Sequence, residues 1–122
     1  MDEQEFKERT QQLALRIIRL VQALPETPIG GIIGKQLLRS GTSIGANYRA
    51  ACRARSNADV LAKLAIVEEE ADETLYWLEL LIKAEIMTEA KLEPLMAETD
   101  EIVAMTVASM KTLRRSAGFK RQ

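Results

Sequence analysis

Gly30, Gly34, Gly41 and Gly45 lie in one stretch whose apolar residues still keep the step of a single helix: Ile33, Leu37, Ile44, Tyr48 and Ala51. Each glycine inside a helix costs roughly 1 kcal/mol against alanine. Together these losses need a structural reason. Either the helix breaks around Gly41 and Thr42, or another helix approaches so closely that side chains must be missing. The unbroken register of the stripe favours close approach, and with it a fold of helix on helix.

The rest of the chain agrees. Its 122 residues suit one domain with a single core. One Trp, two Tyr and two Phe are its only aromatics. The core must therefore be Leu, Ile, Val, Ala and Met, which pack better as helices than as a sheet sandwich.

Residues 2–24 read as a first helix, with Phe6, Leu13, Ile17, Leu20 and Leu24 on one face and an Asp2/Glu5 capping box at its start. Pro25 and Pro28 end it. The glycine-bearing helix follows, from Ile29 or Gly30 to Ala54. Ser56 with Asp59 caps the third helix, which runs to about Ala84 with Leu61, Leu64, Ala71, Leu75, Leu78 and Ile82 in its seam. Thr88 caps the fourth, whose inner face is Leu92, Leu95, Ile102, Val103, Met105, Thr106, Met110 and Leu113. Pro94 falls beyond the first turn and implies a kink or a later start, and Gly118 is placed to stop the helix. The expectation is all-α: an antiparallel up-down-up-down four-helix bundle over residues 1–117, with a basic tail at 118–122. Helices of about 25 residues would make it roughly 38 Å long.

The net charge of −1 hides blocks of opposite sign. Residues 28–56 carry Lys35, Arg39, Arg49, Arg53 and Arg55 and no acid. Residues 57–84 carry Asp59, Glu68, Glu69, Glu70, Asp72, Glu73 and Glu79 against Lys63 and Lys83. Such blocks pair within the fold, between subunits or with a polyanion. Antiparallel pairing across Ser56 sets Gly45 near Glu68 and Gly41 near Asp72, with Arg39 to Asp72 or Glu73 as an internal ion pair. Glu68, inside the third helix's seam, must be paired, solvated at a groove or turned to another subunit.

The same topology gathers Arg49, Arg53, Arg55, Lys63, Lys111, Arg114 and Arg115 at one end of the bundle, and Glu79, Glu85, Glu89 and Glu93 at the other. Two readings of the basic end stand. Cations at helix C-termini complement the macrodipole, or they form a phosphate-binding surface for RNA or DNA. Phe119 is the only aromatic beside them, so backbone contact is expected rather than base stacking. Tyr76 and Trp77 are adjacent and cannot share a face. An outward aromatic there fits a subunit interface; the alternative places both under the loop ends.

Much chemistry is missing. The chain has no histidine, which removes Ser-His and Cys-His catalysis and the Glu-x-x-His motif of di-metal bundles. No zinc, Walker or dinucleotide spacing appears. The run Glu68–Glu73 spreads around its helix as a solvated face. No metal, no cofactor and no enzymatic activity are expected. Cys52 is the sole cysteine, so no intramolecular disulfide can form and a reducing, cytoplasmic setting is the expectation. Arg53 beside it would lower its pKa, although a small packed interior cysteine is the plainer reading. The opening MDEQEFKERT lacks the pattern of a signal peptide, and no apolar run approaches bilayer length, so no membrane partner is expected.

LLRSGTSIGANYRAACRARS followed by KLAIVEEEADETLYWLELL resembles the bacterial four-helix-bundle family known from intervening sequences of 23S ribosomal RNA genes. The likeness covers about residues 13–113. It is most specific at Ser40–Ser56 and Glu70–Leu81. The hallmark reads Ser40-Gly41-Thr42-Ser43-Ile44-Gly45-Ala46-Asn47-Tyr48, and Ala50 or Ala51 stands where many members carry an acid. The resemblance implies an antiparallel bundle that assembles into a ring, with a homopentamer as the implied count. The chain is also similar to the accessory proteins of diversity-generating retroelements, pentameric barrels that bind nucleic acid and a reverse transcriptase. Carried onto this chain, Gly41, Gly45, Tyr48, Glu68, Tyr76 and Trp77 become candidates for helix packing and ring assembly. The basic cluster becomes the nucleic-acid face. A protein-interaction scaffold without nucleic-acid binding is the alternative.

Overall fold

The computed structural model describes residues 2–116; Gly118, Phe119 and the rest of the expected basic tail lie outside that range. The described residues form α1 (Glu3–Ala23), α2 (Pro28–Cys52), α3 (Asn57–Lys83) and α4 (Glu89–Ser116). Each start has a local cause. The Asp2 carboxylate accepts from the Glu5 N–H at 2.8 Å while the Glu5 carboxylate accepts from the Asp2 N–H at 3.0 Å, a complete capping box. Thr27 accepts from the Gly30 N–H at 3.0 Å, with Pro28 at the first helical position. Ser56 accepts from the Asp59 N–H at 3.1 Å. Thr88 accepts from the Lys91 N–H at 3.4 Å. α4 starts at Glu89 and continues through Pro94, so the later start does not occur. Pro94 is exposed and lacks only the N–H that would have met the Ala90 carbonyl.

Among the described residues, the end of α3 holds the one non-glycine residue with positive φ. Glu85 has φ 59°, in the left-handed region. Its N–H bonds the Ile82 carbonyl and the Ile86 N–H bonds the Leu81 carbonyl, both at 2.9 Å, which is a Schellman closure with glutamate at the glycine position. Glu85→Gly is therefore expected to raise stability by about 1 kcal/mol, read as a higher urea midpoint at unchanged slope. An equal or lower midpoint would show that Glu85 is not strained.

α1 and α3 each touch α2 and α4, and neither diagonal pair meets, so the helices stand as a square. Contacts between neighbours run in opposite chain directions. Phe6 stacks on Tyr48 with ring centroids 4.2 Å apart, Gly45 faces Thr10, Gly41 faces Ile17, and Gly34 faces Val21 and Leu24. Across the other edge of α2, the Ser40 and Thr74 hydroxyls are 2.9 Å apart and Arg39 pairs with Glu70 and Glu73. Arg39 thus takes Glu73 as expected and Glu70 in place of Asp72, which is exposed.

α2 does not break at Gly41. A Cβ there would fall inside contact distance of Ile17 Cδ1 and 3.0 Å from its Cγ2, and one at Gly45 would lie 3.2 Å from Thr10 Oγ1. The close neighbour is α1 of the same chain. Gly41 and Gly45 therefore face Ile17 and Thr10, not Asp72 and Glu68.

Leu13, Ile17, Leu37, Ile44, Val67, Ala71, Leu78, Leu81 and Ile102 are fully buried. Each large side chain among them contributes about 1.5–3 kcal/mol of transfer free energy. Val67 and Leu81 occupy core positions expected for Leu61, Leu75 and Ile82, which are only half-buried at the helix edges. Thr10, Thr74, Thr99 and Thr106 are also buried, and each hydroxyl reaches the carbonyl one turn earlier in its own helix. No described side-chain polar atom is left buried without a partner.

Candidate nucleic-acid interface

The basic end is held together by a second, smaller core. Ala51 near the end of α2, Leu64 near the start of α3 and Met110 near the end of α4 pack together, flanked by Tyr48, Val60 and Leu61. Around that plug the chain sets Arg49 in the last turn of α2, Arg53 as its C-cap, Arg55 in the α2–α3 connection, and Lys111, Arg114 and Arg115 in the closing turns of α4. All six cations are exposed. None forms an ion pair with a described residue; elsewhere Lys7, Arg9, Arg39 and Lys63 are paired, and Arg16, Arg19, Lys35, Lys83 and Lys91 are not. Lys63 differs from the rest of its predicted group: it is half-buried, 3.6 Å from Asp59 one turn earlier.

The end is not purely basic. α1 starts there, because Phe6 stacks on Tyr48, and it brings Asp2, Glu3 and Glu5 to the same rim. Glu3 is engaged with Lys7 at 3.2 Å. These carboxylates complement the α1 N-terminus and narrow the positive surface to the α2, α3 and α4 side. A sequence signal for this existed: in an antiparallel bundle the first helix begins where the second ends.

Cys52 sits half-buried beside this rim. Burial pushes its thiol up from the ordinary value and the nearby Glu3 carboxylate adds to that, against a hydrogen bond from Tyr48 that lowers it. The lowering expected from Arg53 does not prevail, and the thiol stays protonated at neutral pH. Burial likewise raises the Tyr48 phenol.

At the opposite end Glu79, Glu89 and Glu93 line a groove of about 350 Å³ between α3 and α4, with Leu75 and Met96; Glu85 stands in the loop beyond. No group of metal-ligating side chains is assembled among the described residues. Glu68 is half-buried at the edge of α3 and makes no ion pair with a described residue. Tyr76 is 54% exposed, and its ring meets Trp77 edge-on at 5.1 Å. Trp77 packs against the core and donates its indole N–H to Glu73 at 3.0 Å. Arg39 and that indole hold the Glu73 carboxyl below the usual carboxylate range. No described helix is long and apolar enough to cross a membrane.

Residues 2–108 match the family model described as 23S rRNA-intervening sequence protein. The fold is similar to the crystal structure of a protein of unknown function from the S23 ribosomal protein family of Bacteroides thetaiotaomicron VPI-5482. The TM-score is 0.85 at 40% sequence identity, over 91% of this chain and 99% of that one. No curated protein matches the chain.

Proposed function

The chain belongs to the 23S rRNA-intervening sequence protein family, and from that premise we propose that it is a non-catalytic, ring-forming bundle that binds RNA or DNA backbone through its basic end. The observation that carries this reading is the clustering of six cations. Arg49, Arg53, Arg55, Lys111, Arg114 and Arg115 are exposed and unpaired among the described residues, on one rim, around a common plug. Arginines collected on one surface are the footprint of phosphate recognition, and Arg55, directly before the Ser56 N-cap of α3, opposes the helix dipole there and so is not explained by it. The family resemblance implies a homopentamer. In a ring of parallel copies these rims sum to one positive face, on which an extended polyanion meets several subunits at once. A non-catalytic role fits a chain with no histidine and a protonated, half-buried thiol.

Binding is measured by fluorescence anisotropy with a mixed-sequence RNA and a DNA duplex of equal length. Engagement of about four phosphates would weaken affinity about 100-fold between roughly 50 and 200 mM salt. Arg49→Glu with Arg53→Glu should lower affinity at least about tenfold and flatten the salt slope. Binding that ignores salt, or no binding at low salt, would discard the nucleic-acid reading and leave a protein-interaction scaffold.

A further inference from the structure

The seam between α1 and α2 carries a groove of about 360 Å³ on its outer side. Its depth comes from missing side chains. Gly45 lets α2 close on α1 until an added Cβ would stand 3.2 Å from Thr10 Oγ1. Ala14 and Ala46 put nothing long over that contact. The hydroxyls beside this floor are already used, because Thr10 and Thr42 donate to carbonyls of their own helices. The walls are long and polar. Gln4, Glu8 and Gln11 follow one another at helical spacing along α1, with Arg49 opposite on α2. Neither glutamine amide is hydrogen-bonded to a described residue, and neither Glu8 nor Arg49 is ion-paired with one.

Charge varies along the groove. Phe6 stacks on Tyr48 and Gly45 faces Thr10, so Gln4 and Arg49 lie at the end that opens on the basic rim. Further in, Glu8 repels a phosphate, and the Lys7 ammonium that would balance it is held by Glu3 at 3.2 Å. An anion therefore fits the mouth, beside Arg49. The interior fits a neutral, flat group rich in donors and acceptors. A nucleotide whose base has left its stack meets both needs at once. Glutamine amides pair with base edges, and a carboxylate accepts from an exocyclic amino group. The volume lies at the lower end of the range for small-ligand sites.

We propose that the α1–α2 groove seats one unpaired nucleobase of a strand whose backbone runs over the basic rim. Arg49 holds the phosphate at the mouth, Gln4, Glu8 and Gln11 meet the edge of the base, and the small floor carries its face. This rests on the nucleic-acid reading above and names its substrate class, single-stranded RNA or DNA. A duplex keeps its bases paired and stacked, out of reach of the groove. Adenine and cytosine are favoured over uracil and thymine, which offer Glu8 no amino donor.

The test is fluorescence anisotropy of the full chain at low salt, with labelled oligo(A), oligo(U) and a hairpin duplex of equal length. Oligo(A) should bind about tenfold more tightly than oligo(U), a discrimination that one bidentate base contact supplies, and more tightly than the duplex. Ala46 is exposed, so Ala46→Leu fills the floor from the solvent side without entering the core. That variant should lose both preferences, while its duplex affinity, salt slope and helical circular dichroism stay native. Gln4→Ala with Gln11→Ala should also bring oligo(A) toward oligo(U). A 2-aminopurine placed in the strand reports on the base itself: it brightens on leaving its stack, and should do so with the native chain and not with Ala46→Leu. A duplex bound as tightly as oligo(A), equal affinity for oligo(A) and oligo(U), a preference that survives Ala46→Leu, or an unchanged 2-aminopurine signal would overturn the groove while leaving the rim. Failure of all three oligonucleotides to bind would overturn the nucleic-acid reading itself.

Discussion

Gly41→Leu is expected to cost the bundle about 3 kcal/mol, at the upper end of what overpacking a core does. The first added atom already collides: a Cβ falls inside contact distance of Ile17 Cδ1 and 3.0 Å from Cγ2. Ile17 is fully buried and β-branched, so it has few rotamers and no free volume to swing into. α1 cannot simply stand off either, since the Phe6–Tyr48 stack and the Thr10–Gly45 approach pin it at the same spacing. Gly41→Ala separates two opposing effects. Helix propensity favours it by roughly 1 kcal/mol, yet the clash should leave a net loss. Gly31, with nothing within 4 Å of the corresponding Cβ, is the control: Gly31→Ala should gain what Gly41→Ala loses. Urea midpoints measure all three. Ile17→Ala is costly in itself, but combined with Gly41→Ala the losses should come to less than their sum, with a coupling of about 1 kcal/mol or more. A Gly41→Leu midpoint close to the native one would mean that α1 and α2 are not packed at this distance.

Close approach was legible because the stripe Ile33–Leu37–Ile44 keeps its step through the glycines. The identity of the neighbour was not. Missing side chains say that something is near, and only the face they occupy says what. Gly34, Gly41 and Gly45 share the α1 edge of α2, while Arg39 and Ser40 share the α3 edge, so a pairing drawn along the α2–α3 hairpin took Arg39 correctly and misassigned the glycines. Capping residues marked the starts of α1, α3 and α4 because the hydrogen bonds that set them are local; for α2 the Thr27 cap went unread, and the helix starts at Pro28 and not at Ile29 or Gly30. Of the two outcomes expected at Pro94 the later start does not occur, because a proline near a helix start loses one hydrogen bond at an exposed position, too little to move the start. At Cys52 the plainer reading of a packed thiol agrees with its raised pKa, and only the effect of Arg53 fails, because the spatial neighbours are Tyr48 and Glu3. The acids Asp2, Glu3 and Glu5 at the basic end follow from the topology alone and were within reach.

Arg9, which no local pattern singles out, should give the second large effect. It lies 89 residues from Glu98 in sequence, yet its Nε and Nη2 donate to the two Glu98 oxygens at 2.9 and 2.6 Å, and Nη2 also reaches Glu101. Those carboxylates, Glu98 first, hold the guanidinium charge more firmly than in a free arginine. The clamp sits on the α1–α4 seam, where neighbouring helices touch least. Arg9→Glu would leave like charges facing Glu98 and Glu101 with Glu5 and Glu8 alongside. Both Arg9 and Glu98 are more than two-thirds buried by side chain, at 29% and 22% exposure. The expected loss is about 2 kcal/mol, below the full cost of breaking a buried pair. The loss should be local before it is global, with α1 lifting from α4 while the other three helices stay packed. Cys52 reports that motion, because its thiol lies beside Tyr48 and the Glu3 carboxylate of α1. Thiol labelling of Arg9→Glu should quicken about tenfold or more with most helical signal retained, and Glu98→Arg in the same chain should return it toward the native rate. Labelling that accelerates only in step with global unfolding would show that the bundle opens as one unit and that Arg9 contributes to its stability without controlling a separate α1.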